Sequence, residues 1–258
     1  MRRRSLLVLA LVVLCLAGGY ASAVARPAGP AAPPPIRAGF LLDPVTALRT
    51  AYARNLAAGT FELTATVSVG QTQGLRLTAQ GDLRRDLFAV TAVNWLDGTV
   101  VETLKSGDQV FARKGGEQRW TRLDVAVLPE ASPLRSQFDP TAQSGILDGV
   151  RSATREQEQL ATEYTGVADL AAAAEAAGQN GRAALRAAAR IAKNATAVPF
   201  RARLDDQGRL LRLEYTIDTP AGSAVTHLDF RKLGEPVEVT VPGPGEFDEA
   251  PADGTVTV

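Results

Sequence analysis

Few side chains in this chain have the type and spacing to do covalent or metal chemistry. His227 is the only histidine and Cys15 the only cysteine. One imidazole cannot build a metal cluster, and no nucleophile motif stands beside it, so His227 reads as a hydrogen-bonded strand residue. Asp205-Asp206-Gln207-Gly208 carries carboxylates but lacks the further oxygen ligands of a calcium loop, so it reads as a hairpin turn with Gly208 at positive φ. Asp248-Glu249 reads as solvated charge, and Asn194-Ala195-Thr196 matches a glycosylation sequon of low specificity. G-x-S-x-G, S-x-x-K, H-E-x-x-H and P-loop patterns do not occur. The expectation is a protein that is not an enzyme, with no catalytic residue, no metal and no cofactor.

Binding chemistry must then come from apolar surface, and the chain is patterned to make it. In FELTATVSV (61–69), Phe61, Leu63, Ala65, Val67 and Val69 fall on one face. GLRLTAQGDL continues the alternation through Leu75, Leu77 and Ala79. LFAVTAVNW (87–95), TVVETLK (99–105), QVFARK (109–114) and RWTRLDV (119–125) follow, with breaks at Asp97-Gly98, Gly107-Asp108 and Gly115-Gly116. Close spacing and tight turns predict an antiparallel meander with one apolar and one wet face. Later, Phe200, Ala202 and Leu204 alternate up to the turn at 205–208. Leu211, Leu213, Tyr215 and Ile217 alternate beyond it, and AVTHLDFRKL adds a partner strand with Phe230. PVEVTVP (236–242) reads as the strand that closes the sheet, and residues 243–258 as a loose, flexible tail.

Helices must cover the apolar face. Asp43-Pro44 makes an N-cap and N1 pair for a helix over 43–58, ended by Gly59, with Val45, Leu48, Tyr52 and Leu56 as its stripe. PTAQSGILDGVRS (140–152) reads as helical. ATEYTGVADL reads as a strand running into ADLAAAAEAA, and RAALRAAARIAK (182–193) as a further helix whose apolar positions are mostly alanine. The sum is an α+β plan.

The N-terminus points out of the cytoplasm. Arg2–Arg4, the apolar run LLVLALVVLCLA and Ala21-Ser22-Ala23 are the three parts of a secretory signal over residues 1–23. An uncleaved anchor and a lipid on Cys15 are the alternatives; Leu14 before the cysteine argues against the lipid. Residues 24–38, rich in Pro and Ala, form a stiff spacer. Removing the signal takes three of 28 basic residues and none of 28 acidic ones, leaving a near-neutral chain without the basic face that nucleic acid requires. The remaining length suits one domain, over 39–242.

These blocks together resemble a family. VPFRARLDDQGRLLRLEYTID followed by THLDFRKLGEPVEVTVP looks like the closing half of the LolA-like lipoproteins of the LppX and LprG type, with their D-x-x-G-R-L hairpin and GEPV strand. GTFELTATV, GDQVFARKGGEQRWTRLD and TEYTGVADLA are similar to segments of that family in the same order, over about residues 40–242. The resemblance implies a curved antiparallel half-barrel over helices, around an apolar cavity that holds lipid or acyl chains. Phe61, Leu63, Val67, Leu75, Leu77, Leu213, Tyr215, Ile217 and Phe230 are then the candidate lining. It also implies a cell-envelope location, with association to a membrane left open. The alternative is a regulatory protein of the same fold that binds another envelope protein's extracytoplasmic segment.

Overall fold

Strand β1, Thr60–Val69, holds the two halves of the sheet together, because β2 (Thr72–Asp82) pairs on one side of it and β11 (Gly222–Arg231) on the other. The computed structural model describes residues 42–124, 142–157, 161–177 and 179–250. The expected signal and linker lie outside them. From β2 the chain meanders through β3 (Leu87–Asn94), β4 (Val100–Ser106), β5 (Gln109–Lys114) and β6 (Trp120–Asp124). From the other edge it runs through β7 (Val150–Gln157), β8 (Thr162–Ala168), β9 (Val198–Leu204) and β10 (Leu210–Thr219) to β11. With β12 (Phe247–Glu249) on the β6 edge, the described residues make one open 12-stranded curved sheet, antiparallel at every junction but β12–β6. The helices are α1 (Pro44–Ala58), a 3-10 helix (Ala142–Gly149), α2 (Leu170–Ala176) and α3 (Gln179–Ile191). The fold is α+β, as the alternation predicts. No helix among the described residues is long and apolar enough to cross a membrane.

Helix α1 starts and stops where its sequence dictates. Asp43 accepts hydrogen bonds from the backbone N–H of Val45 and Thr46, Pro44 sits in the first turn, and Gly59 ends the helix at φ 85°. Its buried stripe differs from the expected one: Ala47, Leu48, Ala51 and Asn55 face the sheet, and Leu56 is 40% exposed. The small alanines let the helix lie close. The buried Asn55 carboxamide donates to the Leu210 carbonyl at 2.9 Å and accepts from the Leu210 N–H at 2.8 Å, tying α1 to the start of β10. The segment read as helical over 140–152 divides: a 3-10 helix ends at Gly149 and strand β7 begins at Val150.

The C-terminal segment corrects two expectations. Residues 236–242 form no strand, because both edges of β1 are already occupied and Pro236 and Pro242 have no N–H to give. The segment instead crosses the sheet: Gly234 N–H bonds Thr60 O, and Gln80 Nε2 donates to Glu238 O at 2.7 Å. The stretch expected to be loose then pairs at 247–249 with the free edge of β6, in parallel. Arg119 holds Asp248, Arg122 pairs with Glu249, and Phe247 meets Phe111 edge-on with ring centroids 5.4 Å apart. Arg122 also lies 4.5 Å from the Phe247 ring centroid. The outer face is therefore not uniformly wet, since Leu87, Leu104 and Phe111 are buried there. Residues 251–258 of the expected tail lie outside the described ones.

Candidate functional site

Strand register assembles the candidate residues in rows on the helix-covered, inner face. One row runs Val90–Ala79–Leu63–Phe230. The next is Ala92–Leu77–Ala65–Leu228–Leu213–Ala202–Tyr164, across strands β3, β2, β1, β11, β10, β9 and β8. A third is Asn94–Leu75–Val67–Thr226–Tyr215–Phe200–Gly166. Phe61 lies at one end, opposite Gly81 and Phe88, and Ile217 at the other, opposite Ala224. All nine candidates thus share one face, because the period of two puts alternate residues of every strand on the same side.

The rows differ in how they are covered. Phe61, Leu63, Leu77, Leu213 and Phe230 belong to one buried cluster with Leu48 and Ala51 of α1 and with Ile146 and Leu147 of the 3-10 helix. Leu213 is 0% exposed and Leu63 2%. This end is close-packed: Gly81 has no side chain because a Cβ there would stand 2.5 Å from the Phe88 ring and 3.0 Å from Phe61. Tyr215 and Ile217 pack on the margin of that cluster and are only half-buried, as are Val90 and Ala92 of β3. Val67 and Leu75 face each other across the β1–β2 pair and are buried. The inner face therefore has a filled part under α1, and its half-buried residues lie at two margins: Val90 and Ala92 on β3, and Tyr215 and Ile217 toward the β10–β11 turn.

Several groups on this face were not among the candidate lining. Tyr164, Phe200, Ala202 and Leu228 complete the rows, the register with β1 placing Leu228 inside. His227 faces out, its Nδ1 3.1 Å from Glu214. Lys105 is an inward lysine in register with Phe88 and Val110, ion-paired with Asp86 and 5.8 Å from the Phe88 ring centroid. Its parity with Val101 and Thr103 in TVVETLK was the available signal.

Burial pushes the Tyr164 hydroxyl up, with Arg155 working against it, and burial pushes Asp148 up against the pull of Arg49. Asp205 is committed to its turn, accepting from the N–H of Gln207 and Arg209 and from Arg209 Nε at 2.6 Å, and Gly208 takes φ 72°. Among the described residues there is no group of three or more His, Cys, Asp or Glu able to hold a metal.

No family model matches the chain, and no curated protein matches it either. Solved structures do. LprF from Mycobacterium bovis aligns with 78% of this chain and 96% of its own, at 14% identity and a TM-score of 0.45. A LolA superfamily protein, NE2245 from Nitrosomonas europaea, aligns over 72% and 90% at 10% identity and 0.26. MucB, in complex with MucA(peri), aligns over 84% and 63% at 15% identity and 0.29. All three scores lie under 0.5, so what this chain does has to be argued from its own geometry.

Proposed function

We propose that this protein is exported and binds or carries lipid acyl chains against the inner face of its half-barrel. The observation that carries this reading is the uneven filling of one largely apolar face: beside the filled part under α1, Val90 and Ala92 on β3 and Tyr215 and Ile217 toward the β10–β11 turn stay half-buried. A methylene chain laid along that face leaves water at about 0.8 kcal/mol per CH₂, so it takes a chain of about ten or more methylenes to match the entropy that association costs. The surface asks for no charge on its ligand, which suits a hydrocarbon. The basic, apolar and A-x-A parts of residues 1–23 support action outside the cytoplasm.

The test contrasts two tryptophans. Ile217→Trp fills the half-buried margin and should abolish saturable binding of a fluorescent fatty-acyl probe, with the melting temperature moved by under about 2 °C. Leu213→Trp overpacks the filled part, at about 1–3 kcal/mol, and should lower the melting temperature by several degrees. Equal destabilisation by both, with no probe binding by the parent, would reject acyl binding and leave the face to a protein segment.

A further inference from the structure

Away from the apolar rows, a cleft of about 410 Å³ opens between the start of β7 and the helix pair α2–α3, lined by Arg151, Ala171, Ala172, Glu175, Arg186, Ala189 and Arg190. Three guanidinium groups enter it from two directions, one from the sheet and two from α3. Arg186 and Arg190 are four residues apart and so project from one side of the helix. Two of the three are held in place: Arg151 Nη2 lies 2.7 Å from Asp169 Oδ2, and Arg186 Nη2 lies 2.7 Å from Glu175 Oε1. Each bond uses one nitrogen of a group with five N–H donors, so most donors stay available. Both carboxylates are kept ionised by those arginines, which hold them below the usual carboxylate range. They therefore act as anchors for the guanidinium groups. The Arg190 guanidinium has no partner among the described residues. Behind the cleft, Arg182 bonds the carbonyls of Ala174, Glu175 and Ala177 and adds positive charge where α2 ends. The alanines make a small, apolar floor.

We infer that this cleft is an anion site, separate from the acyl surface, taking a phosphate ester with a small uncharged body. Planar guanidinium groups converging on one volume suit a tetrahedral oxyanion, and Ala171, Ala172 and Ala189 leave room for a body with no charge of its own. The phosphate could belong to a free ester or to a phospholipid headgroup, and two probes separate the sources. The full chain is titrated calorimetrically with glycerol 3-phosphate and, in a second arm, floated with phosphatidylglycerol vesicles against phosphatidylcholine vesicles. Saturable binding of the soluble ester, weakened about tenfold in Arg190→Gln and further at raised salt, supports a free ester. Binding to phosphatidylglycerol vesicles alone, lost in Arg190→Gln, supports a headgroup. Arg190 is exposed, so the variant should fold, and fatty-acyl probe binding should be unchanged in it; that readout keeps this site distinct from the carrier reading. Arg212→Gln, which breaks only the outer-face pair with Asp229, is the charge-matched control. Absence of binding in both arms, or equal binding by parent, Arg190→Gln and Arg212→Gln, would overturn the inference.

Discussion

Replacing Asn55 with alanine removes both ends of the clamp on Leu210. The parent carboxamide satisfies the Leu210 N–H and carbonyl at 2.8 and 2.9 Å, and both residues are buried, at 4% and 0% exposure. Leaving a buried backbone group unpaired costs about 1–3 kcal/mol. Two are orphaned here, and water entering the vacated space relieves part of the loss, so the expectation is about 2–4 kcal/mol. For a domain of this length that is about 5–15 °C in melting temperature. Asn55→Asp sharpens the test. An ionised aspartate accepts from the Leu210 N–H but cannot donate to its carbonyl, and burial raises its pKa; once protonated it can do both. An acid whose folded pKa is raised binds its proton more tightly when folded. The penalty is therefore absent below its unfolded value of about 3.9 and complete above the folded one. Urea unfolding of parent, Asn55→Ala and Asn55→Asp should show the Asp variant closer to the parent at pH 4.5 than at pH 7.5. A cost under about 0.5 kcal/mol for alanine, or a pH-independent gap for aspartate, would refute the clamp.

Two further outcomes follow from the same structure. Phe247→Ala should cost about 1–2 kcal/mol through the lost edge-on contact with Phe111 and the lost Arg122 stacking. It should also speed amide exchange at Trp120–Asp124, whereas unchanged exchange there would mean that β12 does not guard the edge. Asp169 caps α2 through Ala171 and Ala172 and is held low first by Arg151 and then by those N–H groups. Its contribution is present above the unfolded aspartate pKa of about 3.9 and disappears as pH falls through the lower folded value. Asp169→Ala should accordingly cost about 1 kcal/mol at pH 7, with the gap to the parent narrowing as pH falls below the ordinary aspartate range; a gap that widens on acidification would contradict the ionised cap.

Strand alternation made most of the sheet legible because the period of two survives any tertiary context that buries one face. FELTATVSV and LLRLEYTID needed only their parity to place Leu63, Val67, Leu213 and Ile217 together. What alternation could not supply was coverage. Whether a buried-face residue joins the cluster that includes α1, as Leu213 does, or stays half-buried at its margin, as Ile217 does, depends on where a helix lands. The α1 stripe was misread for a related reason. Leu56 scores as apolar and Asn55 as polar, yet Asn55 is the residue inside, because a backbone pair at Leu210 waits for it. PVEVTVP was strand-like by composition, but a strand needs a vacant edge, and the vacancy lay across the sheet at β6. The arginine cleft had no linear signal either, since Arg151 and Arg190 meet only after β7 and α3 fold together.

The most direct test of the central claim is mass spectrometry of the organic extract of the protein purified from its native host, weighed against an equal amount of Ile217→Trp. Acyl binding predicts a stoichiometric acyl-bearing species with the parent and its loss from the variant at unchanged melting temperature. A parent free of acyl species, or equal recovery from both proteins, would contradict it.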